Sequence, residues 1–287
     1  MSDRIDLRPS PIAGQWYPAD RKRLAEGVDA YIAAAGEQRL GGKVVGVVAP
    51  HAGYRYSGPT AGYAFAAVRE LKPDLVAILS PMHYPYEQPW LTTGHTAYVT
   101  PLGAIPVDQE AQKQLDAGLR LHLGCGLAFV RCDPEHSLEI QLPFLQRAVE
   151  SDFHLLPVML RDQSSATMRA LGEVLGEMLE GRNALLVASS DLSHFYPEHE
   201  AELLDRMFLR KVEEFDPAGV LKLGEEGKAF ACGYGAVAAV LWAGRKLGAD
   251  QVRVLRYGTS GDATGDQAQV VGYGAAAMVR SEKPPEE

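Results

Sequence analysis

Short runs of β-branched residues and leucine recur along the chain: Lys43–Val48, Asp74–Leu79, Phe153–Met159, Ala184–Ser189, Arg253–Arg256 and Gln269–Gly272. The clearest of them are apolar along most of their length, which predicts strands buried on both faces. Between these runs the apolar spacing lengthens to three and four residues. Leu24, Val28 and Ile32 fall on one face of a helix that Asp20 can cap and that runs to Ala35. Similar amphipathic segments cover Thr60–Leu71, Asp108–Leu115, Ser137–Glu150, Ser164–Leu179, Glu200–Phe215 and Tyr234–Leu247. Strands that alternate with helices imply parallel pairing, with helices on both sheet faces. No repeat, low-complexity block or Pro/Gly/Ser-rich linker divides the chain. The expected fold is therefore α/β: a single three-layer αβα domain with a mostly parallel central sheet. It would span residues 1–287, with a core at 5–278 and a solvated, charged tail at 281–287.

Composition narrows the function classes. Hydrophobic residues make up 46% of the 287 and charged residues 23%, enough apolar surface for a core. The formal net charge is −9, and no local Lys/Arg cluster offsets it, which argues against nucleic-acid binding. Met1–Pro11 lacks the apolar region of a secretory signal. The longest apolar stretch, Ala236–Gly244, is about half of the ~20 residues that a membrane span needs. Cys125, Cys132 and Cys232 are odd in number and give no disulfide framework. A soluble, cytoplasmic protein is expected.

The candidate chemistry lies just beyond the strands. The run ending at Val48 leads to His51, the run ending at Leu79 leads to His83, and the run through Ala188 leads to Asp191 and His194. Open α/β sheets bind ligands outside the carboxyl ends of their strands, so three histidines at equivalent positions could share one site. Taken singly, a loop histidine is more commonly a solvated or hydrogen-bonded residue, and His95, His122, His154 and His199 stay with that reading.

A fourth cluster runs from Asp133 to Phe144. Asp133 is a plausible helix cap with Pro134 at the first helical position, and Pro143 should kink or interrupt the helix that follows. Glu135 and His136 would then occupy the first turn, where capping competes with an acid/base or substrate-binding role. Cys232 precedes a small-residue helix. It reads either as a buried small hydrophobe or as a thiolate donor favoured by a helix N-terminus. Cys125 and Cys132 read as structural.

Histidines with a thiolate or carboxylate suit a divalent first-row metal, and ligands far apart in sequence suit an open catalytic pocket better than a closed structural zinc site. No P-loop lysine and no GxSxG elbow is present. Gly272-Tyr273-Gly274 lies too near the end of the sequence to open a dinucleotide-binding unit.

Several motifs together resemble the Memo family (mediator of cell motility in animals; AmmeMemoRadiSam system protein B in bacteria and archaea). They are Ala13-Gly14-Gln15-Trp16-Tyr17-Pro18, Ala49-Pro50-His51-Ala52-Gly53-Tyr54, Ser80-Pro81-Met82-His83, the run Glu135 to Phe144, Ser189 to His194, and Cys232-Gly233. The resemblance implies a fold like that of LigB-type (class III) extradiol dioxygenases, non-haem Fe(II) enzymes that open catecholic rings. Carried over by motif, His51 and His83 would be imidazole ligands, and Cys232 would stand where the dioxygenases have a carboxylate. His194 would be the acid/base, with Asp191, Glu135 and His136 lining the pocket. The cofactor implied is a divalent metal, Fe(II) first, with Cu or Zn as alternatives. A thiolate in place of the carboxylate changes the preferred metal and exposes an oxidisable sulfur, so ring-opening does not transfer automatically. The same resemblance implies radical-SAM and AMMECR-type partners in prokaryotes and peptide binding in animals. Three functions follow as expectations: a metal-dependent oxidoreductase on a small catechol-like molecule, a non-catalytic metal- or peptide-binding adaptor, or a zinc-dependent hydrolase.

Overall fold

A computed structural model describes residues 6–228 and 230–282. The first third of the chain forms β1 (Leu7–Arg8), α1 (Arg21–Ala35), β2 (Gly42–Ala49), α2 (Tyr54–Ala66) and β3 (Leu75–Pro81). Next come β4 (Trp90–Thr93), β5 (Ala97–Thr100), β6 (Gly103–Pro106), α3 (Gln109–Leu123) and β7 (Ala128–Val130). A 3₁₀ turn (Glu139–Gln141) leads into α4 (Leu142–Ala148), β8 (His154–Leu160), α5 (Ser165–Leu179) and β9 (Ala184–Ser189). The remainder is β10 (His194–Tyr196), α6 (Glu198–Glu213), α7 (Pro217–Glu225), α8 (Tyr234–Lys246), β11 (Gln251–Thr259), α9 (Gly261–Thr264) and β12 (Val270–Ser281).

The large sheet is mixed rather than mostly parallel. Its centre, in the order β2-β9-β3-β8, is parallel throughout. Both flanks depart from that direction: β12 runs antiparallel to β2, β10 and β11 run antiparallel to β12, and β4 runs antiparallel to β8. The cause is local. The last strands form a hairpin, β11–β12, and β4 follows β3 without the helical crossover that a parallel return needs. A separate small sheet, β1-β5-β6, packs nearby.

Helices cover both faces. Strand alternation divides the side chains, so Leu75, Ala77 and Leu79 join one core and Val76 and Ile78 the other. The first core is closed by α3, α5, α6, α7 and α8, through Leu115, Leu171, Phe208, Val220 and Val240. The second is closed by α1, α2 and α4, through Leu24, Phe65 and Phe144. Each such buried Leu, Val or Phe contributes roughly 1.5–3 kcal/mol over its exposed state.

Two local expectations are corrected. Asp133 caps no helix. Its carboxylate accepts from Arg8 Nε at 3.0 Å and Nη2 at 2.8 Å, and residues 133–136 are loop. The buried guanidinium of Arg8 outbids a cap because a charge without water needs a counter-charge. Pro143 does not kink a long helix. It sits in the first turn of the short α4, where its missing N–H costs nothing. Of the predicted charged tail, Ser281 belongs to β12 and residues 283–287 lie outside the described residues. Among the described residues, no helix is long and apolar enough to cross a membrane.

Candidate metal centre

The parallel order of the centre decides what meets at its carboxyl edge. Strands β2, β9 and β3 are neighbours, and His51, the Ser189–His194 segment and His83 follow their ends directly. His136 arrives from the loop after β7. One donor atom each from His51, His83 and His136 lie within 4.8 Å of one another, close enough to hold a metal ion. Their rings meet at centroid distances of 4.7 to 5.5 Å.

The hydrogen bonds behind the rings fix which nitrogen faces forward. Ser189 Oγ donates its single proton to the Ser137 carbonyl at 2.6 Å, so it can only accept from His51 Nδ1 at 2.9 Å. His51 therefore carries its proton on Nδ1 and presents a bare Nε2. Glu135 does the same for His83, since Oε1 stands 2.9 Å from His83 Nδ1 and the carboxylate is acceptor-only. The same oxygen is 3.3 Å from His136 Nδ1. A histidine ligand tied back through its second nitrogen is the usual outer-shell arrangement of a metal site.

Electrostatics suit the same occupant. Burial, followed by the like charges of His136, His83 and His194, holds His51 well below the usual histidine range. Burial pushes His136 down to about 4 against the pull of Glu135. Both imidazoles are therefore neutral at pH 7, as ligation requires. Burial would raise Glu135, but the hydrogen bond and charge of His83, together with backbone N–H groups, outweigh it and bring it down to about 2. Those N–H groups belong to His83 (2.6 Å), His136 (3.0 Å) and Ser137 (2.9 Å). An ionised carboxylate thus lies directly behind the His83 ring and beside the neutral His136.

Cys232 and Asp191 border the cluster. Cys232 Sγ is 3.0 Å from His51 Nε2, although the three donors in mutual reach are all histidines. Burial and the charge of Asp191 push its thiol upward, so it holds its proton in this structure. Asp191 Oδ1 accepts from the His51 backbone N–H at 2.7 Å. Burial raises this carboxyl to about 7, against the bonds from His51 and Ala52. His194 is half-buried. Its Nδ1 donates to the Leu192 carbonyl at 2.8 Å, which leaves Nε2 free, and burial lowers its pKa. Trp16 stacks on His136 at 4.0 Å and also lines a cavity of about 490 Å³ with Ala52 and Gly53, the residues next to His51.

Reading the sequence did not single out Ser189, Gln141 or Arg8. Ser189 Oγ takes a hydrogen bond from Gln141 as well as from His51. Arg8 Nη2 donates to the Glu135 carbonyl at 2.9 Å and pins the loop that carries His136. Only Ser189 had a signal, its place at the end of a predicted strand.

Fold and site define a class: an α/β protein with a histidine-lined, metal-competent pocket at the carboxyl ends of its central strands. The sequence profile of the Memo family, described as Memo-like protein, matches residues 8–277. The chain belongs to the Memo family. Among similar proteins, a MEMO1 family protein of Nitrosopumilus maritimus is 36% identical over 95% of this chain and 100% of its own length. One from Methanococcoides burtonii is 37% identical over 94% of this chain and 98% of its own. One from Thermotoga neapolitana is 35% identical, covering 95% and 99%.

Proposed function

We propose that the chain is a metalloprotein whose centre serves oxidative chemistry on a small, catechol-like molecule, in the manner of LigB-type dioxygenases. The observation that carries this reading is the convergence of His51, His83 and His136, with the His51 and His83 rings tied back through Nδ1 by Ser189 and Glu135 so that their Nε2 atoms are left bare. Imidazole suits iron, copper and zinc alike, and Fe(II) is the occupant that fits oxidative chemistry. His51 and His83 would hold the ion. His136 and Cys232 flank them, and a divalent cation beside Cys232 would offset the burial that keeps its thiol protonated. When bound, such an ion supplies Lewis acidity and brings reactants together.

The chain's own residues handle position and protons. Ser189 and Glu135 fix ring orientation. His194, neutral and with its Nε2 free, receives the proton of a substrate hydroxyl at that atom. Asp191 holds the His51 backbone in place and can keep or release a proton near neutrality.

The test is elemental analysis of anaerobically purified protein, followed by Fe(II) reconstitution and oxygen uptake over simple catechols. The reading expects about one ion per chain, as a single site implies, and catechol-dependent uptake lost in His51→Ala. Bound metal without substrate-dependent uptake would instead favour the non-catalytic adaptor. Activity restored by Zn(II) alone would favour hydrolysis.

A further inference from the structure

The amino ends of the parallel strands, at the opposite edge of the sheet from the histidines, enclose a second cavity of about 500 Å³. The start of β2 and the end of β12 form one side of it, and the turns that leave α5 and α8 form the other. The volume falls in the range of small-molecule sites, which is about 300–1,000 Å³. Roughly 20 Å of strand separates Lys43 from Ala49 on β2, so this cavity and the metal centre do not overlap.

No basic run marks this place along the chain, yet the fold assembles a basic lining. Lys43, Arg182, Lys246 and Arg280 all border the cavity, with Glu180 as its one acid. Two of the four cations are already answered. Arg182 pairs with Asp108 at 2.9 Å. Lys246 pairs with Glu177 at 3.2 Å and sits in the last turn of α8, where a cation is favoured.

Lys43 and Arg280 are the anomaly. They stand directly opposite each other in the β2–β12 pair, and neither forms an ion pair among the described residues. Like charges in that position destabilise a sheet, whereas opposite charges would support it. The Arg280 stem also lies against Gly248, where φ is +86° and an added Cβ would stand 3.1 Å from Arg280 Cδ. The arginine is thereby laid along the turn that walls the cavity. An anion lodged between the two cations would turn one repulsion into two attractions.

We propose that this cavity binds a phosphate dianion, free or carried by a small polar molecule, between Lys43 and Arg280. The guanidinium fork and the ammonium point charge are the side-chain groups that suit phosphate, and two unanswered cations match its two charges. The inference stands apart from the oxidative reading and needs no metal.

Inorganic phosphate and glycerol phosphate are titrated by calorimetry into the full chain at constant ionic strength, as purified and after chelation. About one phosphate per chain is expected in both forms, as a single site implies. Affinity should rise as pH climbs through about 6, where phosphate takes its second charge. Tighter binding of glycerol phosphate would assign an organic ligand, and equal affinity would assign the free ion; either supports the site. Lys43→Gln and Arg280→Gln should each weaken binding at least about tenfold, the effect of one lost charged hydrogen bond, with metal content unchanged. Lys43→Glu gives a second readout: the ligand-free protein should melt at a higher temperature, while phosphate binding is lost. No binding of either probe, unchanged affinity in both glutamine variants, or an unchanged melting temperature in Lys43→Glu would overturn the proposal. Binding that survives in these variants and disappears in His51→Ala would place the phosphate at the metal centre and overturn it equally.

Discussion

Glu135 Oε1 accepts from both the His83 ring and the His136 backbone N–H, so the neutral Glu135→Gln variant reaches beyond one residue. Loss of its charge frees the orientation of His83 and His136 together. Metal affinity is expected to fall about 10–100-fold, the usual effect of an outer-shell change, as read by competition with a chelating dye. Cys232 gives a second prediction. If it ligates, metal entry must expel the thiol proton, and affinity should rise with pH by one proton per ion. His51 and His136, already neutral, add no proton dependence near pH 7. Isothermal titration in two buffers of different ionisation enthalpy counts the proton, and Cys232→Ser should abolish it. An unchanged count would place Cys232 outside the coordination sphere. At this scale the sequence pointed to His51 and His83 because each follows a recognisable strand, while His136, from the loop after β7, joins them in the cluster where His194 was expected. The sequence did not reveal their supports. His51 meets Cys232 across 181 residues and Ser189 across 138, and no local pattern encodes such pairs.

Among the elements, the buried strands and long helices were legible because period and length agree. The helices α1, α5 and α8 fall within a residue of expectation. The short strands β4–β7 and β10 were missed, since three or four residues carry too little periodicity. β12 was read as four residues instead of Val270–Ser281. Its Ala275-Ala276-Ala277 stretch favours helix, and pairing with β2 and β11 overrides that preference. The start of α2 was placed late at Thr60, yet the helix opens at Tyr54 and carries Pro59 inside. A further prediction belongs to β1. Arg8 is fully buried between Asp133 and Glu139, and Arg8→Ala would strand both carboxylates. Stability should drop on the order of 3–5 kcal/mol in urea unfolding. Metal affinity should fall with it, because the Glu135 loop loses its tie to β1.

For the whole molecule, the parallel centre decides where the site forms and the antiparallel flanks complete its walls, as β12 does through Val271 and Tyr273. Two buried carboxyls shape the pH profile of the metal-free protein in opposite directions. Asp191, raised to about 7, contributes stability that is complete below its ordinary 3.8 and is lost as pH rises through 7. Glu135, lowered to about 2, contributes stability that is present above its ordinary 4.5 and is lost as pH falls toward 2. Thermal melts of metal-free protein should therefore peak on the acid side of neutrality, and Asp191→Asn should flatten the decline above it.

The clasp between Arg8 and Asp133 joins residues 125 positions apart. During translation the arginine leaves the ribosome long before its counter-ion exists, and Cys232 emerges later still. The loop that carries Glu135 and His136 can therefore be pinned to β1 only once Asp133 and Glu135 have been made, so the site takes its shape after the first half of the sheet is under way.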